Sequence, residues 1–380
     1  MGTLLMRITS HFDSGNIEVV SLENREDIQL KIVADNQSEF YQWFHFKLET
    51  TKDTLHRLRI LDLEKSAYPD GWEGYQAVAS YDRQTWFRVP TQFDKGELTI
   101  EFAPECDHVY FAYFAPYSYE RHLDLISWAQ SMDCCEIETL GETIDGRDIS
   151  VLKIGEASPE KKTIWMIARQ HPGETMAEWF IEGVLHKLLD DEDSHAAALL
   201  DKAVFYIVPN MNPDGSVRGH LRTNAVGVNL NREWQSPSIE KSPEVYFVRE
   251  KMRETGVDMC LDVHGDEAIP YNFFAGSEGI PRYDERLKSL EDDFKAAMFV
   301  TTPEFQDTHG YPKDEPGQAN LTVGSSWIGQ EFDCLSYTIE MPFKDNNDLP
   351  DPDYGWSDRR SYSFGQDTLA AVLSVVNKLR

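Results

Sequence analysis

Thr163-Ile-Trp-Met-Ile-Ala168 runs into Arg169-Gln-His171-Pro-Gly-Glu174, and the stretch Glu174–Leu189 that follows is helix-periodic. A short apolar strand, a polar turn and a helix in direct succession form the repeating unit of an α/β sheet covered on its faces. The same unit recurs on either side. Val204–Val208 and Val257–Val263 are further apolar strands, Pro243–Thr255 and Tyr283–Met298 are helices, Ser336–Ile339 is a strand, and Gln366–Lys378 is a closing helix. Upstream, Tyr119–Met132 carries helical periodicity, and a hairpin is expected around Gly141 and Gly146. These elements predict an α/β domain with a mixed sheet over residues 118–380. The Asp-rich stretch Asp345–Asp358 reads as a solvated loop.

Before Pro116 the pattern has period two. Asp27-Ile-Gln-Leu-Lys-Ile-Val, Tyr41-Gln-Trp-Phe-His-Phe-Lys-Leu, His56-Arg-Leu-Arg-Ile-Leu-Asp-Leu and Glu97-Leu-Thr-Ile-Glu-Phe alternate apolar and polar residues between turn signals. Seven or eight such runs without a helix predict an antiparallel β-sandwich domain over residues 1–117. The 380 residues therefore divide into two domains, as the length itself suggests.

Composition narrows the function. The chain is 41% hydrophobic, enough for sizeable cores, and its 36 Lys+Arg against 66 Asp+Glu give a formal charge of −30. Both parts share it, with 11 basic and 19 acidic groups in residues 1–115 and 25 and 47 in the remainder. Such a balance argues against nucleic acid or an anionic membrane surface as partner. No apolar run of about 18 residues is present, so no membrane span is expected. The stretch Met1–Asn16 lacks the pattern of a secretory leader. Five cysteines, two of them adjacent at Cys134 and Cys135, fit neither a disulfide framework nor a C-x-x-C zinc site. The expectation is a soluble protein of a reducing, cytoplasmic compartment.

Polar groups gather where the predicted strands end, the usual place for a site in an open α/β sheet. His171 and Glu174 are three residues apart on one turn, a spacing that lets an imidazole and a carboxylate converge on a divalent ion. His264 ends the strand Val257–Val263 in Asp262-Val-His264-Gly-Asp266. Asn212-Pro-Asp-Gly215 and Asn229-Leu-Asn231-Arg232-Glu-Trp234 follow the strand Val204–Val208, and Ser336-Tyr-Thr-Ile-Glu340 puts a carboxylate on an apolar strand. A buried Glu without a partner is costly, so Glu340 calls for a functional or ionic reason. Asn212 and Asp214 read as turn-formers and Trp234 as packing. Asp262 and Asp266 fit either support of the neighbouring histidine or solvated loop charge.

His-Pro-Gly-Glu, Asn-Pro-Asp-Gly, Asn-Arg-Glu-Trp, Asp-Val-His-Gly and Ser-Tyr-Thr-Ile-Glu, in this order, resemble the zinc metallocarboxypeptidases related to carboxypeptidase A. The resemblance is greatest to the cytosolic carboxypeptidase branch, in which a β-sandwich precedes the catalytic domain. Asp13-Ser-Gly-Asn16 and Phe111-Ala-Tyr-Phe-Ala-Pro-Tyr117 are similar to that N-terminal domain. The resemblance implies one zinc ion per chain on His171, Glu174 and His264, with a water of lowered pKa in the open position. It implies Glu340 as general base, Arg222 as the group that polarises the scissile carbonyl, and Asn231 with Arg232 as the grip on the substrate's terminal carboxylate. The substrate would be the C-terminus of a peptide or protein. An alternative on the same fold is a deacylase or amidohydrolase cleaving N-acyl amino acids; a binding module that kept the pocket would have no need of Glu340.

Three departures from the family pattern stand out. Asn229 occupies the place of an aspartate that orients the first zinc histidine. Tyr311 lies in a Gly/Pro-containing loop but has no secure counterpart to the tyrosine that digestive relatives donate. Members that remove glutamate place a basic residue before the catalytic glutamate, and Thr322–Gln330 holds none. The segment Gly215–Arg232 has no acidic residue but holds Arg218, His220, Arg222 and Arg232, which predicts a positive funnel over the metal.

Overall fold

The computed structural model describes residues 6–380. Met1–Leu5, part of the stretch read for a leader, lies outside the described residues. Two five-stranded sheets form the N-terminal part. Strands Arg7–Thr9, His45–Glu49, His108–Ala112, Val78–Ser80 and Phe87–Arg88 make one, in that spatial order; Glu18–Ser21, Ile28–Lys31, His56–Ile60, Glu97–Phe102 and Thr91–Asp94 make the other. Alternation of burial along His56–Ile60 and Glu97–Phe102 turns Leu58, Ile60, Leu98 and Ile100 inward. Phe102 of one sheet meets Phe111 of the other edge to face, ring centroids 5.9 Å apart. Pairing is antiparallel except between Ile28–Lys31 and His56–Ile60, which run parallel. Strict alternation cannot distinguish the two directions, because both ladders share the period of two.

A seven-stranded mixed sheet forms the C-terminal part. Its order is Cys135–Glu142, Asp148–Ile154, Ala203–Val208, Lys162–Ala168, Met259–Asp266, Leu335–Pro342, Phe273–Ala275. The four central strands are parallel, and the outer ones are antiparallel. Three of the central strands are buried along their whole length and Lys162–Ala168 from Ile164 onward, as continuous apolar runs require. Helix Met176–Leu188 lies against helix Asp358–Val375 so closely that a Cβ on Gly183 would fall 1.9 Å from Tyr362 O.

Four features of the sequence reading change. Asn212-Pro-Asp-Gly215 is the start of helix Pro213–Arg218, with Asn212 Oδ1 accepting from Gly215 N at 3.1 Å. The last helix begins at Asp358, not Gln366, because Ser357 caps it. Helices Ser194–Lys202 and Gly324–Phe332 occupy stretches not read as elements. Asp345 is no solvated charge: Arg360 and Arg88 reach it at 3.2 and 3.5 Å.

Candidate active site

The four central parallel strands end on one edge, and their register brings the polar groups together. His264 and Glu340 are direct partners on adjacent strands, and Ala168 pairs with Val263, so His171 starts its turn beside His264. His171, Glu174 and His264 each offer a ligand atom within 4.8 Å of the others, and all three are buried. Glu174 Oε1 lies 2.6 Å from His171 Nδ1, and its Oε2 lies 2.8 Å from His264 Nδ1. The two Nδ1 atoms face each other at 3.2 Å.

The far side of each ring meets an oxygen acceptor. Asn229 Oδ1 lies 3.1 Å from His171 Nε2 and also accepts from Asn231 N at 3.0 Å, which identifies that amide atom as the oxygen. Asp262 Oδ1 lies 3.0 Å from His264 Nε2. With the proton on Nε2, each ring turns an Nδ1 lone pair inward. Two lone pairs and a carboxylate aimed at one buried point repel one another unless a cation sits there, so the donor set fits a divalent ion of the His₂Glu kind. The charges agree. Burial and the Arg222 guanidinium hold His171 down to about 4. Burial would lower His264 too, but Asp262 and Glu174 outweigh it and raise that imidazole well above its ordinary value. Burial would raise the Glu174 carboxyl, yet His171 and His264 hold it below the usual carboxylate range.

Glu340, Arg222, Asn231 and Arg232 line the same cavity of about 670 Å³ as the three metal-ligating candidates. Glu340 is 6% exposed, with Oε2 buried and unpartnered. Burial, reinforced by Glu174 and Asp266 and opposed by His264, pushes its carboxyl well above the ordinary range. The Tyr311 hydroxyl donates to Asp266 Oδ2 at 2.7 Å and lies 3.2 Å from Glu340 Oε1. Asp266 thus braces this tyrosine, and Asp262 the second histidine; neither is a solvated charge. Arg222 is flanked by the rings of Phe40 and Tyr68, 5.7 and 5.4 Å from its Cζ. Asn231 Oδ1 accepts from Gly324 N at 2.7 Å, and Arg232 Nη1 donates to Asn231 O at 2.6 Å. Burial and the neighbouring Arg222 lower the Arg232 guanidinium.

The predicted funnel is narrower than the sequence suggests. Arg218 is paired bidentately to Asp145, at 2.9 Å twice, and His220 Nε2 accepts from Asn36 N at 3.1 Å, which leaves Arg222 and Arg232 facing the cavity. Several lining groups escaped the sequence reading. Tyr68 comes from the N-terminal part, about a hundred residues before the first metal-ligating candidate. Two further basic lining groups, Lys295 and Lys313, come from elsewhere in the chain and are ion-paired to Asp307 at 2.9 Å and Glu278 at 2.8 Å. Beneath the His171 turn lies a buried network: Arg169, at φ 60°, donates to Glu178 Oε2, Tyr117 O and Pro172 O at 2.7, 2.9 and 3.0 Å. An arginine and a glutamate within apolar stretches were its signal.

Comparison with known proteins agrees with this geometry. Residues 125–357 match the zinc carboxypeptidase family, and residues 8–114 match the cytosolic carboxypeptidase N-terminal domain. A crystal structure from Shewanella denitrificans, of a protein provisionally described as carboxypeptidase A, is 58% identical; the match covers 98% of this chain and 100% of that one, with a TM-score of 0.98. A metallo-carboxypeptidase from Pseudomonas aeruginosa, solved in complex with (2-guanidinoethylmercapto)succinic acid, is 48% identical over 98% of this chain and 100% of that one, with a TM-score of 0.95. Human cytosolic carboxypeptidase 1 is 28% identical over 64% of this chain, which spans 24% of that longer protein.

Proposed function

The chain belongs to the zinc carboxypeptidase family, and on that premise we propose that it hydrolyses the C-terminal peptide bond of peptides or proteins, with His171, Glu174 and His264 holding one zinc ion. The observation that carries the proposal is the convergence of two inward lone pairs and a carboxylate in one cavity with Glu340, Arg222, Asn231 and Arg232. Zinc, when bound, supplies Lewis-acid polarisation of water and of the substrate carbonyl.

The protein groups do the rest. Glu340, a buried carboxylate of raised proton affinity, takes the proton of the attacking water and hands it to the leaving amine. Arg222 faces the oxygen of the scissile carbonyl, where negative charge develops. Asn231 and Arg232 bind the terminal carboxylate, a recognition that selects exopeptidase cleavage because an internal bond has no carboxylate to offer. A dicarboxylic acid bound by the Pseudomonas relative is in keeping with a cavity that takes such groups. The same reading divides the chain into a β-sandwich domain over residues 1–117 and a catalytic domain over 118–380, supported by sheets that share no strand. It places the enzyme in the cytoplasm. Among the described residues no helix is long and apolar enough to cross a membrane.

A peptide-library digest read by mass spectrometry tests the proposal. Loss of single C-terminal residues is expected, and amidation of the C-terminus should abolish it. Unchanged cleavage of amidated peptides would rule out the carboxylate grip, and turnover only of N-acyl amino acids would turn the assignment to a deacylase.

A further inference from the structure

Between helix Pro213–Arg218 and the short turn Leu230–Arg232 the chain has no helix or strand, yet this stretch carries Arg222. Its backbone is held by the N-terminal part of the molecule. Asp35, 3% exposed, accepts from the amides of Leu221, Arg222 and Thr223 at 2.7, 2.8 and 2.9 Å and from Thr223 Oγ1 at 3.0 Å. Around it Ser14 N donates to Val217 O at 3.0 Å, Asn16 Nδ2 to Gly219 O at 2.8 Å and Asn36 Nδ2 to Ala225 O at 2.7 Å. Two glycines mark how close the approach is. At Gly219 (φ 71°) a Cβ would lie 2.7 Å from Ser14 O, and at Gly227 (φ 79°) one would lie 2.5 Å from Gln37 O.

Three consecutive amides converging on one carboxylate form an anion-binding nest, here filled by a side chain of the other domain. The oxygens of Asp35 are taken up by backbone N–H groups and a hydroxyl, so the guanidinium of Arg222 keeps its charge for the cavity while its base is fixed. Phe40 and Tyr68, also N-terminal, flank the guanidinium itself. We propose that Asp35 is a positioning residue for Arg222, and that the β-sandwich is thereby a working part of the active site. This rests on the reading of Arg222 given above.

A double-mutant cycle tests it on the full-length, zinc-loaded enzyme with an N-blocked dipeptide as substrate. Asp35→Asn keeps the shape and weakens the nest. It should lower kcat by about tenfold to a hundredfold, change KM by less than about threefold, and leave the zinc content unchanged. In an Arg222→Ala background the same substitution should cost less than about threefold, because the group it positions is gone. Equal slowing in both backgrounds, or a loss of zinc, would overturn the proposal. If Arg222→Ala alone turned over near normally, the reading of Arg222 would fail first, and this role of Asp35 with it. Should Asp35→Asn not fold, Thr223→Val removes one of the four donors and should give the same pattern at smaller size.

Discussion

The strand ends that carry His171, His264 and Glu340 and the loop that carries Arg222 face one cavity but are held in opposite ways. The first group is fixed by the sheet itself: His264 and Glu340 are register partners, and displacing one means slipping a buried parallel ladder. The loop has no ladder and takes its shape from Asp35, Asn16 and Asn36 of the other domain. On the proposed reading, metal-binding geometry is local to one fold, and the arrangement for stabilising charge is shared between two. Damage to the first should abolish the chemistry; damage to the second should slow it.

The largest effect should come from removing the metal. Chelation, or His264→Ala, should lower hydrolysis by at least about a thousandfold. Added zinc should restore the chelated enzyme but not the variant; activity that survives a verified absence of metal would break the comparison at its first term. Glu340→Gln should cost at least about a hundredfold in kcat while zinc stays bound, measured by turnover and metal analysis together. Asn229→Asp probes the boundary between the regions, since Asn229 stands on the loop side and orients His171. Restoring the charge should tighten zinc by up to about tenfold in a chelator competition, and weaker binding would show that the amide is the better partner here.

The smallest effect concerns the other flank of the loop. Asn224 Nδ2 lies 3.4 Å from Glu244 Oε2, and Glu244 Oε1 is buried without a partner. Burial raises this carboxyl to about 8. A group whose folded pKa is raised stabilises fully below its unfolded value near 4.5, and that stability is lost as pH rises towards 8. Glu244→Gln should therefore leave the melting temperature unchanged near pH 4 and raise it by a few degrees above pH 8. Equal shifts at both pH values would mean that folding does not move this carboxyl's pKa, and a lower melting temperature above pH 8 would mean that Glu244 is stabilised as the anion.

The same division decides what the sequence reveals. Apolar runs such as Thr163–Ala168 and Val204–Val208 mark buried strands directly, and His171, Glu174, His264 and Glu340 sit at their ends, where short motifs can be read. Asp35, Tyr68, Lys295 and Lys313 carry no motif; each reaches the site through contacts between segments distant in the chain. The funnel narrows for the same reason, because Asp145, which takes Arg218, lies outside the acid-free stretch. Helix Pro213–Arg218 is hidden by its own cap, since Asn-Pro-Asp-Gly suits a turn and a helix start equally.

The distance from Asp35 to Leu221 is 186 residues. At roughly 5–20 residues per second, a ribosome takes about 10–40 s to make that span. Throughout that interval Asp35 is on a chain that has nothing to give it but water. If the N-terminal sheets form during that interval, they do so with this carboxylate solvated, and the loop closes on it late. In refolding, compaction and zinc uptake should come before full activity, with the delay lengthened in Asp35→Asn.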